Sequence, residues 1–126
     1  MIGRLHHLIL DCPDPRALAQ FYADLLGLPI THDSGDFVVV SVNQQTSGLA
    51  FQLAPDHQAP HWGDPTRPQQ MHLDVMVDDL AAASTAVLEL GAVRIGSPDG
   101  DVYTDPAGHP FCLIPRPGWA DPVNAD

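Results

Sequence analysis

The chain has 126 residues, enough for one compact domain or for two similar halves that share a core, and 44% of its residues are hydrophobic. Sixteen acidic residues against five basic ones give a formal net charge of -11, which makes nucleic acid and anionic membrane surfaces poor partners. All five basic residues are arginines, so a lysine Schiff base or a lysine general base is excluded.

The sequence predicts a cytoplasmic location. No stretch reaches the ~20 apolar residues of a membrane span, and the segment MIGRLHHLILD lacks the apolar core of a signal peptide. Cys12 and Cys112 are expected to stay reduced there. We therefore expect a soluble cytoplasmic protein.

The first half of the chain predicts a strand, a helix and three further strands. The opening strand is about Leu5 to Asp11, and the helix follows Asp14 as N-cap with Pro15 in its first position and Gly27 just after its end. The three later strands are predicted at about Leu28 to His32, Phe37 to Val42 and Leu49 to Ala54.

The second half repeats this order. His72 takes the place of His7, Asp78 or Asp79 takes that of Asp14, and Gly91 takes that of Gly27. The strands after this helix are predicted at about Ala92 to Gly96, Asp101 to Thr104 and Pro110 to Pro115. The chain therefore divides into a first module (about 5–54), a crossing loop (about 55–70), a second module (about 71–115) and a tail (about 116–126).

Four strands each place one residue with a metal-binding side chain opposite their main apolar face. A strand alternates its side chains between two faces, and the apolar residues of these strands would pack against the helices. The residues left on the other, concave side are His7, Gln52, His72 and Cys112.

The tandem βαβββ order, the segment DPRALAQFYADLLG near the start and the segment DPAGHPFCLI near the end together resemble the vicinal oxygen chelate superfamily. This superfamily contains glyoxalases, bleomycin-resistance proteins and extradiol dioxygenases, and the similarity covers about Leu5 to Ile114. The resemblance implies an α+β fold in which the two modules form a curved, partly closed, barrel-like sheet of eight strands with the helices outside. It also implies a homodimer.

In metal-using members of the superfamily, one ligand comes from the first strand of each module and another from the last. The resemblance therefore implies that His7, Gln52, His72 and Cys112 bind one divalent ion such as Zn²⁺, Ni²⁺, Fe²⁺ or Mn²⁺. No organic cofactor is evident. Many active members have Glu where this chain has Cys112, which is either a ligand that favours softer ions or a packing residue.

Asp74 is the nearest carboxylate candidate for catalysis. It lies two residues after His72 on the same strand face, and it is either a general base or a partner of an arginine or a backbone amide. His7 and His72 are likewise either ligands or histidines hydrogen-bonded to a neighbour.

The crossing loop, PDHQAPHWGDPTRPQQ, predicts a wall for the mouth of a pocket. His57, His61 and Trp62 are its candidate substrate-binding residues, although Trp62 could instead cover the joint between the modules. Tyr103 is predicted to add a hydroxyl to the cavity. His109 is predicted to be exposed, Asp99 and Gly100 to form a hairpin turn, and the tail from about Pro117 to be loosely held.

These features lead to three functional hypotheses. The first is a small-molecule-binding glyoxalase-like protein that uses a divalent metal to hold vicinal oxygens, with lyase, isomerase or dioxygenase chemistry. The second is a metal-free binding or sequestration protein of the bleomycin-resistance type, whose acidic cleft suits a cationic or aromatic ligand. The third is an enzyme that uses Asp74 or a histidine as general base without a metal.

Overall fold

The computed structural model describes residues 1–96 and 100–124. The chain separates into two compact units, Met1–Gln58 (unit 1) and Ala59–Asp126 (unit 2), and the boundary falls inside the predicted crossing loop. Within the described part of the chain, no helix has the length and apolar character needed to cross a membrane. The predicted hairpin turn includes Asp99, which lies outside the described residues.

Unit 1 contains one helix and one four-stranded sheet. Its elements are β1 (His7–Cys12), α1 (Pro15–Leu26), β2 (Ile30–Asp33), β3 (Phe37–Val40) and β4 (Gly48–Leu53). The strand order is β1-β4-β3-β2, with β1 parallel to β4 and the other pairs antiparallel. The predicted order of one strand, one helix and three strands is confirmed.

Unit 2 repeats this arrangement. Its elements are β5 (Leu73–Val77), α2 (Leu80–Glu89), β6 (Val93–Arg94), β7 (Val102–Thr104) and β8 (Pro110–Pro115). The strand order β5-β8-β7-β6 matches that of unit 1. Among the residues that the structure describes, the strands form two four-stranded sheets, so the predicted single, partly closed sheet of eight strands is not confirmed.

The helix boundaries follow the capping residues. The Asp14 carboxylate accepts a hydrogen bond from the backbone N–H of Ala17, and Gly27 ends α1 in the left-handed conformation with φ of 65°. Asp79, the second of the two predicted alternatives, caps α2 by accepting from the N–H of Ala82 at 3.0 Å. Caps of this kind replace helix-end hydrogen bonds that the backbone alone cannot make.

Each core lies between the helix and one face of its sheet. In unit 1 the Tyr22 ring on α1 stacks on Phe51 of β4 at a centroid distance of 5.4 Å, and both are fully buried. In unit 2 the Tyr103 ring on β7 stacks on Phe111 of β8 at 5.6 Å, and both are again fully buried. Buried aromatic pairs of this size dominate the apolar area of a small core.

The described part of the tail after β8, up to Asn124, is hydrogen-bonded to Asp78 just before α2, so this part is not loosely held as predicted. The Asp78 carboxylate accepts hydrogen bonds from the backbone N–H groups of Val123 and Asn124 and from Arg116 Nε at 2.8 Å. These bonds, with the backbone contributions first and the Arg116 charge after them, lower the pKa of Asp78. The sequence missed this anchor because its partners lie 38 to 46 positions apart.

Candidate functional site

Three side chains with metal-binding atoms meet on one face of the unit 2 sheet. His72 directly precedes β5, Asp74 lies on β5, and Cys112 lies on β8. One ligand atom from each lies within 4.8 Å of the other two. We call these three residues the unit 2 cluster.

Strand alternation and sheet register produce the cluster. Phe111 and Leu113 are buried in the core, so Cys112 between them faces the opposite side of the sheet. Asp74 is the direct partner of Cys112 in the parallel ladder. His72 precedes Asp74 by two positions and therefore lies on the same side.

The cluster is open to solvent. The His72 side chain is 39% exposed and that of Asp74 is 55% exposed, whereas Cys112 is partly buried. His72 Nε2 lies 3.7 Å from Asp74 Oδ1, longer than a hydrogen bond but within the range of an ion pair. A ligand could therefore reach all three side chains from one side.

The donor set fits a divalent transition metal. Imidazole, carboxylate and thiolate are all ligands of zinc, which binds them at about 2.0–2.3 Å, so two ligands of one ion lie roughly 3.3–4.5 Å apart. The spread of the cluster, up to 4.8 Å, is close to that range. A thiolate among the donors favours softer ions than a purely oxygen-based site would.

Trp62 lies beside the cluster. Its ring meets that of His72 edge to face, with centroids 5.2 Å apart and planes at 77°. A turn holds the surrounding loop, because the His61 N–H donates to the Arg67 carbonyl at 2.7 Å and the Asp64 N–H donates to the His61 carbonyl at 3.0 Å. Hydrogen bonds from Thr66, first from its hydroxyl and then from its backbone, lower the pKa of Asp64.

The two histidines predicted in the crossing loop make local backbone hydrogen bonds. His61 is an exposed residue of unit 2, and its N–H helps to form the turn. His57 belongs to unit 1, where its backbone N–H donates to the Ala54 carbonyl at 3.0 Å. Their substrate-binding roles stay predictions.

Tyr103 lies in the core, which corrects the prediction that its hydroxyl lines a cavity. The residue pairs with Phe111 in the ladder and therefore shares the buried face of the sheet. Its hydroxyl hydrogen-bonds Ser84 Oγ on α2 at 2.7 Å, which satisfies the buried phenol. The pairing with Phe111 places the Tyr103 side chain on the buried face, and this pairing is known only from the folded sheet.

His7 has different neighbours from its counterpart His72. Its Nδ1 accepts a hydrogen bond from the Gly48 N–H at 3.1 Å. Burial and the adjacent His6 lower the pKa of His7, so the ring is neutral at pH 7 and carries its single proton on Nε2. In this state Nε2 is a hydrogen-bond donor rather than a metal ligand.

Gln52 is not brought to His7. In the parallel ladder His7 is opposite Gly48 and Gln52 is opposite Asp11, four residues further along. At about 3.3 Å per residue the two rungs are roughly 13 Å apart. The two parallel ladders can be compared residue by residue. Cys112 is opposite Asp74 in unit 2, and Ala50 is opposite Ile9, the equivalent of Asp74, in unit 1. The residue that corresponds to Cys112 is therefore Ala50 and not Gln52.

A buried hydrogen bond between a histidine and an aspartate just before β8 was not expected from the sequence. His109 Nδ1 lies 2.9 Å from Asp105 Oδ2, with the Asp105 side chain fully buried and that of His109 only 17% exposed. Asp105 Oδ1 also accepts from the backbone N–H groups of Ala107 and His109. The prediction that His109 is exposed is therefore wrong, and the i, i+4 spacing of the two residues was the available signal.

Gly108 shows why this turn is tight. Its φ is 91°, and a Cβ added there would lie 2.4 Å from the Ala59 Cβ. Both the backbone conformation and the close approach require glycine.

Comparison with known proteins agrees with the fold. Residues 7–114 match the model of the glyoxalase-like domain family. No curated protein matches the chain significantly. Many solved structures do match, and three of them illustrate the range.

The oxidase ChaP-H2 is 26% identical to this chain, with 93% of this chain and 96% of that chain covered and a TM-score of 0.62. A glyoxalase/bleomycin resistance protein/dioxygenase family enzyme from Burkholderia phytofirmans PsJN is 16% identical, with coverages of 88% and 97% and a TM-score of 0.68. The fosfomycin resistance protein FosX from Mesorhizobium loti is 14% identical, with coverages of 90% and 91% and a TM-score of 0.62. The last two likenesses establish the fold alone.

The family model covers residues 7–114, and the two βαβββ units span almost the same residues, from His7 to Pro115. The chain therefore belongs to the glyoxalase-like domain family, and it shares its fold with proteins of the glyoxalase, bleomycin resistance and dioxygenase type.

Proposed function

We propose that this protein binds a small molecule with vicinal oxygens and uses one divalent metal ion held by the unit 2 cluster. The observation that carries the proposal is the meeting of His72, Asp74 and Cys112 within 4.8 Å on an open sheet face. A bound divalent ion would supply Lewis-acid polarisation of substrate oxygens.

The chain's own side chains have distinct parts in this proposal. His72 and Cys112 hold the ion, and the Trp62 ring beside His72 offers an apolar surface for the ligand. Asp74 either completes the donor set or accepts a proton from the substrate as general base. An Asp74→Asn variant separates these roles, because loss of metal indicates a ligand, whereas retained metal with lost turnover indicates a base.

The reaction class follows the identity of the ion. The name of the 26% identical relative, oxidase ChaP-H2, favours oxidation, which would require a redox-active ion such as iron or manganese. Zinc or nickel would instead favour lyase or isomerase chemistry. A homodimer and a cytoplasmic location, expected from the sequence, remain part of the proposal.

Metal content is the deciding measurement. Elemental analysis of protein purified without a histidine tag or chelator should find about one equivalent of a transition metal, and little in the His72→Ala and Cys112→Ser variants. His32→Ala is the matched control, because His32 is an exposed histidine of unit 1. A parent protein that stays empty after metal is added back, or an equal loss in His32→Ala, would contradict the proposal.

A second candidate is a metal-free protein that binds or sequesters a ligand. The observation that favours it is the replacement of the Glu found in many active superfamily members by Cys112, in a cluster whose other two side chains are more than a third exposed. The formal net charge of -11 suits a cationic or aromatic ligand. Ligand-induced stabilisation in chelator-treated protein would support this candidate over the first.

A further inference from the structure

A polar cleft of about 350 Å³ lies in unit 1, away from the residues of the unit 2 cluster in the sequence. It lies between the segment that leads into β1 and the turn that leads into β4. We call it the Arg4 cleft. Its lining residues are Arg4, Leu5, His6, His7, Gln44, Gln45, Thr46 and Ser47.

Two hydrogen bonds hold its walls together. Ser47 Oγ donates to the Leu5 carbonyl at 2.5 Å, and the Gly48 N–H donates to His7 Nδ1 at 3.1 Å. Gly48 is required there, because an added Cβ would lie 2.1 Å from the Val40 carbonyl oxygen. These bonds fasten Leu5 and His7 to the opposite wall of the cleft.

The lining is basic in a strongly acidic protein. It includes one of the five arginines and two of the seven histidines, and the described residues that line it include no carboxylate, although the chain has sixteen. A net charge of -11 repels anions from the molecule as a whole. Any attraction of an anion to this cleft must therefore come from the local side chains.

Several groups that line the cleft can donate hydrogen bonds. The hydrogen bond from Gly48 occupies the Nδ1 lone pair of His7, so the remaining nitrogen, Nε2, bears the proton of the neutral ring. The His6 ring lies against His7 with centroids 3.9 Å apart, and Arg4 adds a permanent positive charge with five N–H donors. The side-chain hydroxyls of Thr46 and Ser47 donate to Asn43 Oδ1 and the Leu5 carbonyl.

We propose that the Arg4 cleft binds a phosphate-type oxyanion, either free or as a group on a larger molecule. Arg4 forms the ion pair, and His6 and the His7 Nε2–H donate hydrogen bonds to the anion oxygens. None of these residues belongs to the proposed metal centre, so anion binding does not require the metal.

Equilibrium dialysis with radiolabelled inorganic phosphate tests the site in metal-free, untagged full-length protein at low ionic strength. The expected result is saturable binding of one equivalent, weakened about tenfold or more by Arg4→Gln, since a charge-assisted hydrogen bond is lost. Arg16→Gln is the matched control, because it removes the same charge from an exposed arginine that is paired with Asp33. That control should bind phosphate like the parent.

Further measurements locate the anion. Histidine ring signals in NMR spectra, assigned with His6→Gln and His7→Gln variants, should shift for His6 and His7 on phosphate addition and stay unchanged for His72. Competition by methyl phosphate would indicate a group on a larger molecule, whereas phosphate binding without that competition would indicate the free ion. Both outcomes support the proposed binding of an oxyanion in the Arg4 cleft.

Two results would overturn the proposal. One is the absence of saturable binding at millimolar phosphate, and the other is equal weakening by Arg4→Gln and Arg16→Gln, which would indicate a general charge effect. A Cys112→Ser variant keeps the two proposals distinguishable. It should lose metal and bind phosphate like the parent.

Discussion

His7 in unit 1 and His72 in unit 2 occupy matching positions but have different chemical surroundings. Each lies 7 residues before the N-cap aspartate of its helix, Asp14 or Asp79. His7 accepts a backbone hydrogen bond, whereas His72 lies beside a carboxylate and a thiol. A repeated sequence position therefore preserves the place of a side chain, while the neighbouring strand decides its chemistry.

The two helices show a similar divergence. α1 buries six residues, including Phe21 and Tyr22, whereas α2 buries only Val87. The aromatic ring that stacks on the last strand comes from the helix in unit 1 and from β7 in unit 2. Unit 2 thus depends more on packing within its sheet, and its cluster lies on that sheet.

The largest expected effect is on stability. Phe51→Ala and Phe111→Ala each remove a fully buried ring and should lower the free energy of unfolding by about 3–5 kcal/mol, measured by urea denaturation. Leu88→Ala, at a site that is 44% exposed, is the control and should cost much less. Equal losses of stability in all three variants would show that these aromatic pairs do not stabilise the cores of the two units.

Metal binding should separate the two histidines. His72→Ala should weaken metal affinity by at least about 100-fold, more than the loss of an outer partner typically costs, whereas His7→Ala should leave it within about twofold. Titration with a competing chelator measures both. Comparable losses in the two variants would restore His7 to the ligand set that the sequence predicts.

Substitutions in the turns before the last strands of the two units should differ in how much stability they remove. Asp105→Ala leaves two backbone N–H groups and His109 Nδ1 without their buried acceptor, and we expect a loss of about 2–3 kcal/mol. Asn43→Ala, in the exposed turn before β4, should cost under about 1 kcal/mol. Thermal unfolding of both variants checks this order, and a larger cost for Asn43→Ala would reverse it.

The smallest effect concerns pH. Burial first, and the neighbouring His6 second, lower the pKa of His7 below its ordinary value of 6.5, so the unfolded chain binds the proton more readily. The contribution of His7 to the free energy of unfolding is therefore complete above pH 6.5, and it is lost as the pH falls through the pKa of His7 in the folded protein. Proton NMR titration should place the pKa of His7 below 6.5, and His7→Gln should flatten the decline; a value above 6.5 would contradict the assignment.

Much of the local structure was predictable. Asp14, Pro15 and Gly27 set the limits of α1, and the alternation around Cys112 placed that residue opposite the buried Phe111. Local hydrogen bonding and the two-residue period of a strand determine these features, and both are visible in a short segment. The strand Pro110–Pro115 was predicted with the boundaries that the structure has.

The site was only partly predictable. The sequence singled out His72, Asp74 and Cys112 but grouped His72 and Cys112 with His7 and Gln52. Gln52 lies on the predicted strand, yet its partner in β1 is Asp11, four residues beyond His7. Tyr103 was misplaced for the same reason, since its hydroxyl could be assigned only once its partner strand was known.

The sequence by itself determined the repeated order of elements, the capped ends of the helices and the face on which most strand residues lie. The tertiary structure alone decided that Asp74 is opposite Cys112 and that the Gly48 N–H is directed at His7 Nδ1. Each of these pairs joins positions about forty residues apart. Register across such distances depends on how whole elements pack, because no local pattern specifies which rung meets which.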